Sequence, residues 1–226
     1  IADSLVSHSN TINKVSLSSD NTMIASTGDD GSIKLWDFKS GWLIKTIDGK
    51  AKWMQSVIFS NDNKYLISSS LGDKIIRVFD IATGNEVKKF LGHTAAVSSI
   101  KLSPTGDKLV SGGYDNTIKI WDYNTGAILH DIWGFNSGVG SVDFHPDGTK
   151  VACGTNDNRV IIWDVATGKQ ITTLNGHFAK VNSVAFSPDG TLLASGGDDA
   201  LVKVWSMDDG KCIFTSKFGH KNDVKS

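Results

Sequence analysis

The chain is poor in several things. It has two cysteines, Cys153 and Cys212, and three prolines in 226 residues. Two thiols cannot build a disulfide framework, so they read as free thiols in a reducing compartment, the cytosol or nucleus. Few prolines, with 39% hydrophobic residues, argue against a disordered chain. There are two arginines, Arg77 and Arg159, and the net charge is −1. A nucleic-acid reader needs clustered Lys and Arg, and a phosphopeptide reader needs an Arg cluster, so neither role is expected. No apolar run reaches the roughly 18–20 residues that span a bilayer, and no signal-peptide or transit pattern is visible. The chain opens on Ile1 instead of Met, which implies that earlier residues are missing. Helical spacing of apolar residues is absent throughout.

What the chain has is glycine, 23 of them, at regular intervals, and a stretch that recurs. "SGGYDNTIKIWD" from Ser111 is echoed by "STGDDGSIKLWD" from Ser26, "SSSLGDKIIRVFD" from Ser68, "CGTNDNRVIIWD" from Cys153 and "SGGDDALVKVWS" from Ser195. The aromatics near their ends, Trp36, Phe79, Trp121, Trp163 and Trp205, stand 43, 42, 42 and 42 residues apart. Each unit reads as four short strands. "SPTG", "HPDG" and "SPDG" form one set of turns, and "IATG", "YNTG" and "VATG" another, with Gly supplying the positive φ. Ile118 and Ile120 fall on one face of their strand, Lys119 and Trp121 on the other. One such sheet cannot bury both faces, and radial repetition solves that problem.

Gly-His, then an Asp-containing turn, then Trp-Asp, at this period, resembles the WD-repeat family of β-propellers. The resemblance covers essentially the whole chain and implies an all-β propeller of four-stranded antiparallel blades. The expected blades are 12–48, 54–91, 97–133, 139–175 and 181–218, within one propeller region. It further implies an outer strand at "DSLV" (3–6) and a sixth unit starting at Gly219. Five blades of a larger, open ring are therefore expected, with a closed five-bladed ring as the alternative.

Ser, His and Asp could make a hydrolytic triad, but the set occurs three times. The sets are His8, Ser26, Asp30, Trp36; His93, Ser111, Asp115, Trp121; and His177, Ser195, Asp199, Trp205, with His and Trp 28 residues apart in each. The resemblance makes each set a buried structural network. A buried imidazole and indole need partners, and such a chain supplies them all. Catalysis needs one exposed nucleophile beside an oxyanion hole, and Ser111 lies in a strand instead of a strained elbow. No catalytic residue, metal site or cofactor is expected. His130 and His145 have no partner at metal-ligand spacing.

Two repeats depart from the pattern. The second has Lys50 for His and Phe79 for Trp, keeps Ser68 and Asp73, and carries an extra residue near Leu71-Gly72. The fourth keeps Asp157 and Trp163 but has Phe135 for His and Cys153 for Ser. Tolerated drift explains both; adaptation to a partner is the sharper alternative.

If the networks are structural, function lies on surfaces. The family binds partners on the loops after Gly-His and before the network Asp. Those positions give Trp53, Gln55, Tyr114, Asn156, Arg159, Lys180, Asn182 and Asp198. Trp53 is the leading anchor, since exposed Trp is enriched in hot spots; packing on Phe79 is its alternative. Trp42 and Trp133 are assigned to edge packing. The expected function is a non-catalytic scaffold that docks proteins or peptides within a larger complex, with no nucleic acid, membrane or small-molecule substrate. A selective peptide reader, recognising a short tail or degron, is the alternative, and an enzyme the weakest reading.

Overall fold

The computed structural model describes residues 8–216 and residue 224. The outer strand expected at 3–6 and the sixth unit expected from Gly219, apart from Val224, lie outside the described residues. Twenty strands form five four-stranded antiparallel sheets, and each sheet uses four strands consecutive in sequence. The chain divides into two compact units, residues 1–100 and 101–226.

The first unit holds two sheets. One comprises β1 (Ile12–Leu17), β2 (Met23–Gly28), β3 (Ser32–Asp37) and β4 (Leu43–Asp48). The other comprises β5 (Met54–Phe59), β6 (Tyr65–Ser70), β7 (Ile76–Asp80) and β8 (Glu86–Phe90). Ala25, Ile33, Leu35 and Ile47 of the first sheet pack on Met54, Val57, Phe59, Leu66 and Phe79 of the second. Burying each such aliphatic side chain contributes about 1.5–3 kcal/mol. This seam is what makes the two sheets one body.

The third sheet starts with β9 (Val97–Leu102), which runs across the division, and continues with β10 (Lys108–Gly113), β11 (Ile118–Asp122) and β12 (Ile128–Ile132). The fourth is β13 (Val139–Phe144), β14 (Lys150–Thr155), β15 (Arg159–Asp164) and β16 (Gln170–Asn175). The fifth is β17 (Val181–Phe186), β18 (Leu192–Gly197), β19 (Val202–Ser206) and β20 (Cys212–Thr215). The same seam recurs in the second unit. Ala152, Val160, Ile162 and Leu174 of the fourth sheet meet Val181, Val184, Leu193 and Trp205 of the fifth. Ile118 and Ile120 share a core with Val139, Val142 and Phe144, on the face read from the sequence. Third strands are buried on both faces, so that even their mid-strand cations, Lys34, Arg77, Lys119 and Lys203, are buried beside the apolar residues.

Two local devices set the geometry. The Asp that follows the repeat aromatic accepts from the backbone and hydroxyl of the residue three on. Asp37 takes Ser40, Asp80 takes Thr83, Asp122 takes Thr125 and Asp164 takes Thr167, each backbone bond being 2.7 Å. These bonds close the turn into the outer strand. The second device is a register shift one residue inside the first strand, at Asn13, Gln55, Gly140 and Asn182. A bulge re-aims a side chain away from the plain alternation, and these are positions the sequence assigns to the loop face.

Candidate functional site

The polar quartets come first, since they carry the residues a hydrolase would need. In the first sheet His8 places Nδ1 2.9 Å from Asp30 Oδ2 and Nε2 2.8 Å from Ser26 Oγ. The Trp36 indole N–H donates to the same Ser26 oxygen at 2.9 Å. In the fifth sheet the matching distances are 2.7 Å for His177–Asp199, 2.7 Å for His177–Ser195 and 2.8 Å for Trp205–Ser195. Because Trp N–H can only donate, Ser Oγ accepts it and turns its own proton to His Nε2; Nδ1–H then faces the carboxylate. Donation therefore runs from Trp through Ser and His to Asp.

In the third repeat Trp121 donates to Ser111 at 2.8 Å, and Asp115 accepts from the Thr117 hydroxyl at 2.7 Å. His93 is buried and belongs to the first unit. The serines of all three quartets are buried.

The carboxylates are tuned by the same bonds. Burial alone would push the Asp30 carboxyl up. Bonds from the Ser32 N–H, His8, the Ser32 hydroxyl and the Ser9 N–H outweigh it and bring Asp30 down to about 2. Asp199 is likewise lowered: burial opposes, while the Phe178 N–H, His177 and the Leu201 N–H win.

The two divergent repeats are held differently. In the second, Asp73 does not reach for Ser68. It clasps Arg77, with Nη2–Oδ2 at 2.6 Å and Nη1–Oδ1 at 3.2 Å, and Arg77 Nε lies 3.0 Å from Glu86. Arg77 occupies the mid-strand position that Lys34, Lys119 and Lys203 hold elsewhere, and the residues alone gave one signal for its role: a cation four positions after Asp73. Phe79 is fully buried in the seam. In the fourth, Phe135 tilts against Trp163 with centroids 5.5 Å apart, and the Trp163 N–H has lost its hydroxyl acceptor. Cys153 stands in the serine's place, and burial pushes its thiol up to about 12.

The proposed surface residues behave unequally. Trp53 is 52% exposed and takes no part in the Phe79 core. Tyr114 is exposed and lies over the backbone of Gly138. Gln55 is half-buried at its bulge. Asn182 Nδ2 donates to Asp198 Oδ1 at 2.5 Å and to the Val224 carbonyl at 2.9 Å. Asn13 does the same with Asp29 and the Met54 carbonyl, at 2.7 and 3.0 Å. These amides peg one repeat to the backbone of the next, so Asn182 Nδ2 is engaged within the chain, while Asp198 stays exposed. Arg159 is paired with Asp157 through Nε and Nη2, and Lys180 is half-buried with its carbonyl on the Asp198 N–H. Asn156 Oδ1 is buried without a partner.

Edge packing does not hold for Trp42 and Trp133. Both are exposed, Trp133 at 79%, because each adjoins a glycine at positive φ that turns the chain outward. Phe178, next to His177, is 80% exposed and was not singled out from the sequence; its backbone N–H on Asp199 fixes it there.

A groove of about 350 Å³ opens on the first sheet, lined by Ile12, Val15, Ile24, Trp36 and Phe38, with His8 and Ser26 behind. Shifted by one repeat, these are Met54, Val57, Leu66, Phe79 and Ile81, the side of the second sheet that the first one covers. It is a stacking face without convergent polar groups. Among the described residues no cluster of three or more His, Cys, Asp or Glu could hold a metal ion, and no helix is long and apolar enough to cross a membrane.

A family model described as "WD domain, G-beta repeat" matches residues 2–37, 41–80, 84–122, 126–164 and 168–206. Among curated proteins, "Nuclear distribution protein PAC1" of Coccidioides posadasii (strain C735) is 32% identical over 82 residues, 36% of this chain and 17% of that protein. "Nuclear distribution protein nudF" of Aspergillus niger (strain ATCC MYA-4892 / CBS 513.88 / FGSC A1513) is 40% identical over 88 residues, 38% of this chain and 19% of the relative. "Autophagy-related protein 16" of Arabidopsis thaliana is 31% identical over 93 residues, 41% and 18%. The matches span about a fifth of the length of these relatives.

Proposed function

The chain belongs to the WD domain, G-beta repeat family, and from that premise we propose that it is a non-catalytic module that docks other proteins through its loop face. One observation carries the reading. The Ser–His–Asp sets, which hold the residue types a hydrolase needs, each have a buried serine that accepts an indole N–H, and in the first and fifth sheets the histidine is tied to both the serine and the carboxylate. A nucleophile buried beneath tryptophan has no access to substrate.

What the sheets offer instead is stiffness. A loop residue fixed between two bonded strands loses little freedom on binding, so a contact there keeps more of its free energy. Trp53, Tyr114 and Phe178 are the large side chains presented this way. The relatives carry names from nuclear distribution and from autophagy, and what they share with this chain is a repeat segment. That supports a common module and leaves pathway and partner to each protein. Two unpaired thiols fit an intracellular setting, and a net charge of −1 fits protein partners better than nucleic acid.

Affinity capture from cell extract with the wild-type chain and Trp53→Ala tests the proposal. At least one protein should be lost from the Trp53→Ala sample. Identical recovery with both would remove Trp53 as an anchor.

A further inference from the structure

The loop face departs most from the other repeats at the second one. Lys50, where the first, third and fifth repeats have His, takes φ +61 and turns its ammonium out to Asp48 at 2.9 Å. Two residues on, the Lys52 carbonyl accepts the Gly72 N–H at 3.1 Å and the Trp53 carbonyl accepts the Leu71 N–H at 2.9 Å. These bonds clamp Trp53 at φ +53, a left-handed conformation that bulky residues avoid.

The Trp53–Leu71 bond has counterparts in Thr11–Asp29, Gly138–Asn156 and Lys180–Asp198, whereas the Lys52–Gly72 bond is made at the extra residue of this repeat. A Cβ on Gly72 would come 2.5 Å from the Lys52 carbonyl oxygen, so only glycine lets the two loops approach. Strain persists where the surroundings over-determine it, and here two hydrogen bonds and one glycine do so. What they hold up is an indole half in water.

Charge around it is uneven. Asp73 is matched by Arg77, and Asp48 by Lys50. Asp29, on the adjoining turn of the first repeat, accepts from Asn13. Lys52 and Lys74, on the two clamped loops, are exposed and have no ionic partner among the described residues. Two exposed ammonium groups on the paired loops that carry a half-exposed indole suit carboxylates flanking an apolar group; without an accessible Arg fork they suit phosphate poorly.

We propose that Trp53, Lys52 and Lys74 form a docking platform for an acidic peptide segment, with an apolar side chain on the indole and carboxylates against the two ammonium groups. This rests on the reading that the loop face binds protein, and it specifies the partner's chemistry.

The test titrates the full chain into fluorescently labelled hexapeptides EELFEE and KKLFKK and follows anisotropy. The acidic peptide should bind about tenfold more tightly or better, and salt should weaken it. Lys52→Glu/Lys74→Glu should abolish that preference or reverse it. Trp53→Ala should weaken the acidic peptide by about tenfold, as loss of a hot-spot side chain does. Unchanged denaturation midpoints would show that both variants fold. Equal binding of the two peptides, or an unmoved preference in the lysine variant, overturns the acidic partner. If Trp53→Ala still weakens both peptides in that case, the interaction reading stands while this inference falls. If no variant alters the binding of either peptide, both fall.

Discussion

Ser195 Oγ stands 2.7 Å from His177 Nε2, the separation at which a general base would take a nucleophile's proton. His177 Nδ1 meets Asp199 at the same distance, which completes the connectivity of a hydrolytic triad. Trp205 decides what that connectivity does. Its N–H fills the serine lone pair at 2.8 Å, and the whole set is buried. Geometry that would activate an exposed serine instead ties together the loop, two strands and the turn between them.

Replacing Asp199 with Ala should therefore cost stability. It strands the His177 Nδ1–H inside the sheet and removes the acceptor of the exposed Phe178 N–H. An unpaired buried donor costs about 1–3 kcal/mol. Urea denaturation should show a midpoint lowered accordingly; an unchanged midpoint would argue that the bond is incidental.

Acid should unfold the chain in a defined window. Asp30 and Asp147 are both held down to about 2, against an ordinary 3.8. For Asp147, burial opposes while bonds from Thr149 and His145 prevail. A carboxyl whose folded pKa is depressed stabilises the fold above its unfolded value and loses that contribution as pH falls toward the folded one. Stability should thus decline between about pH 4 and pH 2, and Asp30→Asn should flatten part of that slope in acid-titrated circular dichroism.

The two thiols should separate cleanly. Cys212 is exposed, whereas Cys153 is fully buried with its thiol pushed up to about 12. A thiolate is the reactive form. A thiol-reactive dye should label one cysteine in the native protein and two after denaturation, and rapid labelling of native Cys153 would contradict the packing.

Val15 and Val57 occupy the same repeat position with opposite fates, 54% and 0% exposed. Val57→Asp buries a carboxylate in the seam and should destabilise by several kcal/mol or prevent folding. Val15→Asp should change stability by less than about 0.5 kcal/mol. Thermal melts of the pair check whether the first sheet's outer side is bare.

Much of this architecture is legible in the residues, for specific reasons. The strands follow from alternation and turn chemistry, and the spacing of 43 and then 42 residues from Trp36 onward sets the repeat. His8, Ser26 and Trp36 could be linked because buried polar atoms must pair. Surface roles were harder to read. Whether Trp133 lies flat or projects depends on the φ of Gly134, +103, which composition does not reveal. Asn182 reads as a loop-face residue, but the bulge beneath it turns its amide onto the backbone of the next repeat. Arg77 replaces a network with an ion pair, and only coordinates show Asp73 leaving Ser68 for it.

The groove of Ile12, Val15 and Phe38 leaves a band of hydrocarbon open on the first sheet. Hydrocarbon left facing water sets a ceiling on concentration, because it is where molecules first begin to clump. Detergent choice and storage strength for the purified chain should answer to that surface first.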